Sequence, residues 1–148
     1  MGIQQKMKWL DVLTVEFTAF AYPFWQEKTP KTLTLSSGAS GVAYSMSAME
    51  TEAEAVITAN AAMTGFELSC GETTFTLSDL NVASGSTVVI SYTDKDHILQ
   101  IKSGTTSLLD KRSAESSDDL ILAPGGNAVA FTSTGAASCE IRWKGVYV

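Results

Sequence analysis

The chain contains one histidine, His97, and a hydrolytic triad would need it beside a serine or cysteine nucleophile and an orienting carboxylate. No Gly-x-Ser-x-Gly elbow accompanies it, so His97 reads as a residue at a strand edge. Asp94-Lys95-Asp96 and Asp118-Asp119 put carboxylates in loops, where a hard cation such as calcium takes its oxygens. The glycine and distal glutamate of a calcium loop are missing, and solvated turn residues are the expectation. Glycoside hydrolysis needs two carboxylates at a set separation in space, and no pair stands out for it. Cys70 and Cys139 lie far apart without Cys-x-x-Cys spacing, which argues against zinc and favours two buried thiols over a disulfide. Neither a catalytic residue, a metal nor a cofactor is expected. Flat side chains that could stack on a sugar ring are Trp9, Trp25, Trp143, Tyr22, Tyr44, Tyr92 and Tyr147. Trp143 falls on the apolar side of an alternating stretch and belongs in a core. Trp25 follows the Tyr22-Pro23-Phe24 corner and is the better exposed, so Trp25 with Tyr22 is the candidate ligand-binding pair.

These residues must be positioned by strands. Charged residues are only 18% of the 148, while Thr, Ser, Ala, Gly and Val are plentiful, a composition that suits sheets and turns over a helical bundle. The length fits one domain with a sizeable core. A net charge of −6 with scattered lysines and arginines leaves no basic stripe for a phosphate backbone, so nucleic acid is not an expected partner. Asp11 and Glu16 interrupt the apolar residues after Lys8, and no 18-residue apolar run exists, so neither an export signal nor membrane insertion is expected.

Along the chain, residues 1–7 read as a loose, disordered lead-in or an expression leftover beginning at Met1-Gly2, and residues 8–148 as a single β-sandwich domain. Leu13, Val15, Phe17 and Ala19 alternate with Thr14, Glu16 and Thr18, predicting a strand over 8–20 that Pro23 ends. Thr32–Leu35 is a short strand and 36–41 a flexible loop. The stretch 49–58 is rich in Ala and Glu and favours helix by propensity. Its charges fall at 50, 52 and 54, however, and only a strand gathers every second residue on one face. Strands follow at 66–70 and 73–77, paired as a hairpin around Gly71-Glu72, then a buried strand at 87–92, another at 97–102, and a short piece at 107–110. Ala123-Pro124-Gly125-Gly126 predicts a tight reversal with positive φ at Gly125. The strand 127–133 then places Val129 and Phe131 inward. The last strand sets Cys139, Ile141 and Trp143 against Glu140, Arg142 and Lys144, and the two are expected to form a hairpin.

The run from Leu108 to Phe131, with its Ser117-Asp118, Leu122, Pro124, Gly125 and Asn127, resembles the C-terminal domain of the distal tail proteins of long-tailed phages. The closing Ile141-Arg-Trp-Lys-Gly-Val-Tyr is similar to that family's terminal strand. Val15 to Trp25 resembles its strand into a Tyr-Pro-aromatic-Trp corner, and Gly85 to Tyr92 its Gly-x-x-Leu-Val-Ile-Asp strand, with Ser91 where the family has aspartate. The likeness covers most of residues 10–148. It implies a galectin-like, jelly-roll antiparallel β-sandwich in the baseplate hub of a phage or prophage tail, assembled in the bacterial host cytoplasm. It also implies other tail and baseplate proteins as partners. Family members carry an N-terminal portion that builds a hexameric ring, and a hexamer is expected only where such a region precedes this chain. A non-enzymatic module acting by protein contact is the first expectation; a carbohydrate-binding module recognising host surface polysaccharide through Trp25 is the second.

Overall fold

The computed structural model describes the backbone of Gly2–Met7 and Leu10–Glu16, and residues 25–147 in full. Gly2–Met7 (β1) pairs antiparallel with Leu10–Glu16 (β2), Ile3 opposite Val15. The loose lead-in expected at 1–7 is thus corrected for residues 2–7, whose peptide groups find a ladder on β2 where a loose segment would leave them to water. The predicted strand over 8–20 is represented by β2; its remaining residues and Tyr22 lie outside the described residues.

From Trp25 onward the strands are β3 (Trp25–Gln26), β4 (Lys31–Ser36), β5 (Ala39–Ser45), β6 (Thr51–Ala59), β7 (Phe66–Cys70), β8 (Thr73–Leu77) and β9 (Thr87–Tyr92). Then come β10 (Leu99–Ser103), β11 (Thr106–Ser107), a 3-10 turn at Leu109–Lys111, β12 (Ile121–Leu122), β13 (Gly125–Ser133), β14 (Ala137–Trp143) and β15 (Val146–Tyr147). Besides the two-stranded pairs β1-β2 and β3-β15, one main sheet runs β11-β10-β9-β6-β14-β4, with β12 added beside β6, and the other main sheet runs β5-β13-β7-β8. All pairings are antiparallel, and the two sheets enclose one core, an all-β sandwich.

The core follows from period-2 patterning. Ile57, Ile90, Ile101 and Ile141 come from the larger sheet and Leu68, Phe75, Leu77 and Phe131 from the smaller, all essentially without exposed surface. Each such side chain contributes about 1.5–3 kcal/mol on burial. In β6 the alternation overrides helix propensity: Ala53, Ala55, Ile57 and Ala59 are buried while Glu52 and Glu54 are exposed. The strand at 87–92 is half-buried rather than buried, with Val88 and Ile90 inward and Val89 partly exposed.

Two expectations are overturned. The strands β13 and β14 are not a hairpin: β13 pairs with β5 and β7, whereas β14 pairs with β4 and β6 in the other sheet. The link between them is an arch across the sandwich. Thr134 Oγ1 accepts from the backbone N–H groups of Thr64 and Gly65, and Ala136 O accepts from those of Asn60 and Ala61, so the connection is held to the 60–65 segment instead of closing on itself. The flexible loop expected at 36–41 is a second, tighter arch, from β4 to β5, with Gly38 at φ +84. The arches are laced together, since Ser37 Oγ accepts from Ser133 N at 2.9 Å and Gly38 N donates to Phe131 O at 2.8 Å. Residues 107–110, expected as a short strand piece, split between β11 and the 3-10 turn.

Candidate functional site

The motif around Pro124 builds one end of the smaller sheet. Gly125 adopts φ +95, as the reversal requires, and Asn127 is buried beneath it. Asn127 Oδ1 accepts from Ala123 N at 2.9 Å, and Nδ2 lies within hydrogen-bonding reach of the carbonyls of Ala123, Gly125 and Ala43 at 2.8–3.3 Å. Across from it, Gly71 holds φ +59, and a Cβ there would stand 2.9 Å from Asn127 Oδ1. Ser117 caps the edge of β8, accepting from Thr74 N at 2.9 Å, and Ser116 does the same for Thr76 N at 3.0 Å. Ser117 and the Pro-Gly-x-Asn residues therefore act on the backbone, covering a sheet edge and closing a corner.

Burial, and after it the nearby carboxylates of Asp119 and Glu52, raise the Tyr92 phenol, and Glu52 is also the partner of His97. Asp118 pairs with Arg112 at 3.2 Å, and His97 Nδ1 lies 2.8 Å from Glu52 Oε2 with its own backbone at φ +50. Among the described residues no cluster of three or more His, Cys, Asp or Glu side chains is placed to hold a metal ion. Cys70 and Cys139 are free, buried thiols, and burial pushes them up to about 11 and about 12.

Trp25 sits on β3 opposite Tyr147 of β15 and is 63% exposed. Beneath this pair, Glu27 accepts from Gly145 N and Tyr147 OH, both at 2.9 Å, with Lys31 Nζ at 3.4 Å. The backbone N–H of Gly145, then the Tyr147 hydroxyl, hold the Glu27 carboxyl below its ordinary value, and Glu27 in turn raises the Tyr147 phenol. Tyr22, the other half of the expected ligand-binding pair, lies outside the described residues.

The outer faces of the two main sheets differ in chemistry. The larger sheet shows water Thr32, Thr34, Glu54, and an Arg142–Glu140 ion pair, with Arg142 opposite Glu54 in register. The smaller sheet shows Val42, Tyr44 and, just past β5, Met46, exposed by 63%, 61% and 64%. Beside them on β13 lie Gly126 opposite Tyr44 and Ala128 opposite Val42, both exposed, followed by Ala130. A Cβ on Gly126 would meet Val42 Cγ1 at 3.4 Å, so the two large side chains lean over the small row. Of this apolar patch, only Tyr44 is among the residues singled out from the sequence. Its signal was the alternation of Val42, Tyr44 and Met46 with Ala43 and Ser45, inverted so that the larger apolar residues face out. Compared with known proteins, the chain matches no family model and no curated sequence.

Proposed function

We propose that this protein is a structural module of a phage or prophage tail tip, akin to the C-terminal domain of distal tail proteins, and that it works in the baseplate by protein contact rather than catalysis. The observation that carries the contact reading is the apolar part of the smaller sheet's outer face, where Val42, Tyr44 and Met46 stand beside Gly126, Ala128 and Ala130, while the exposed Glu67 lies further along the same face on β7. A contiguous exposed apolar patch on a chain of net charge −6 marks a surface meant to be covered. The phage-tail part rests on the sequence resemblance, supported by the roles of Ser117, Gly125 and Asn127 in shaping the corner and edge that flank this sheet. The chain is to be mixed with the tail-tube and hub proteins of the same virion and run by size exclusion with light scattering. A complex that Tyr44→Glu abolishes is expected; the absence of any complex rejects the reading.

The second reading is a module that docks host polysaccharide, favoured by the exposure of Trp25 and its pairing with Tyr147. Titration with host-wall polysaccharide, followed by tryptophan fluorescence, tests it. Saturable binding lost in Trp25→Ala supports this reading, and no saturable change removes it.

A further inference from the structure

Strand edges distinguish β5 from every other border of the sandwich. The larger sheet ends on one side at β11, only two residues long, and on the other at β4, which opens on Lys31 and turns Thr32, Thr34 and Ser36 outward. The smaller sheet ends at β8, whose edge is covered: Ser113 N and Ser117 N donate to Thr76 O and Thr74 O, and Arg112 bridges to Leu77. Its other border, β5, pairs among the described residues with β13 alone, over seven unbroken positions without a bulge. Exposed edges in folded proteins are ordinarily blunted by charge, proline or a bulge. No charged residue or proline occurs anywhere in 32–49.

We propose that β5 pairs antiparallel with β5 of a second copy of this chain, about a two-fold axis at Val42, joining the two smaller sheets into one continuous sheet. The inference rests on reading this sheet as a protein-contact surface and names its first occupant. A two-fold axis normal to the sheet brings residues i and j together when both lie on the same face, and centring it on Val42 uses all seven residues of the strand. Val42 then meets the partner's Val42 and Tyr44 meets the partner's Ser40 on the outer face. On the inner face Gly41 meets the partner's Ala43, and Ala39 the partner's Ser45. Every large side chain faces a small one or its own like, so the two backbones approach without a clash. Because a two-fold seam sets the strand against its own copy, a strand carrying one sign of charge would repel itself; this one has nothing to repel. The join satisfies the outward-facing peptide groups of β5 and makes the apolar ridge continuous across two copies.

The test is sedimentation of the whole chain over micromolar to submillimolar concentrations, with two variants at an exposed position. The wild type is expected to dimerise. Val42→Lys places like charges opposite each other and is expected to weaken the dimer about tenfold or more. Val42→Cys is expected to form a disulfide-linked dimer under mild oxidation, because directly opposed Cβ atoms lie roughly 4.5–5.5 Å apart, whereas Ser69→Cys in the middle of the sheet is not. A wild type that stays monomeric, or a dimer indifferent to Val42→Lys and not cross-linked through Val42→Cys, overturns the proposal. A monomer that still binds tail-tip proteins sinks the self-pairing and leaves the contact reading intact; a dimer that binds none does the reverse.

Discussion

Asn127 and Ala123 grip each other twice, the Ala123 N–H donating to Asn127 Oδ1 at 2.9 Å and Asn127 Nδ2 donating to the Ala123 carbonyl at 2.8 Å. One buried side chain thereby does the work of a backbone pair across the Pro124 corner. Removing it strands peptide groups in a closed site, so Asn127→Ala is expected to cost about 2–3 kcal/mol, read from urea unfolding. Asn127→Asp keeps the acceptor but loses both donors and should fare no better.

Gly71 and Gly104 supply a matched pair for the same site. Both hold φ +59, but a Cβ at Gly71 meets Asn127 Oδ1 at 2.9 Å, and one at Gly104 meets nothing within 4 Å. Gly104→Ala should cost only the left-handed backbone penalty, about 1–2 kcal/mol. Gly71→Ala should cost at least about 1 kcal/mol more, and the excess should vanish in an Asn127→Ala background. Equal costs for the two alanines would show that the contact carries no energy.

Acid should loosen the junction between β3 and β15. The Glu27 carboxyl titrates below its ordinary value of 4.5, so the folded form binds its proton more weakly than the unfolded chain does. The stabilisation is therefore fully present above about 4.5 and is lost as pH falls through the lower folded value. Urea midpoints measured from neutral pH down to acid should fall less steeply for Glu27→Gln than for the wild type in that window. Parallel curves would remove Glu27 from the account.

Both thiols should be silent in the folded protein. With Cys70 and Cys139 fully enclosed and pushed up to about 11 and about 12, an aromatic disulfide reagent at neutral pH should label neither until denaturant is added, then both. Prompt labelling of either in native buffer would contradict the enclosed core.

The sequence discloses burial better than connection. The strand bounds at 66–70, 73–77 and 87–92 are legible because Gly71 and Gly85 punctuate clean alternation. The inward set Val129, Phe131, Cys139, Ile141 and Trp143 is legible for the same reason. Alternation says which face a residue takes but not which strand its peptide groups bond. That is why β13 and β14 read as a hairpin when each belongs to a different sheet. The strand β5 was hidden by its Ser-Gly-rich start and by apolar residues that point to water, a pattern that makes sense only once the other sheet edges are seen to be covered, short or polar. Trp25 could be singled out from sequence, but its pairing with Tyr147 joins positions far apart in the chain and leaves no local mark.

The most direct check on the whole account is electron microscopy of particles assembled from the genome that encodes this chain, labelled with gold-conjugated antibody raised against it. Gold at the distal end of the tail is the outcome the account predicts. Tailed particles that carry no gold anywhere, although the chain is present in the producing cells, would contradict it.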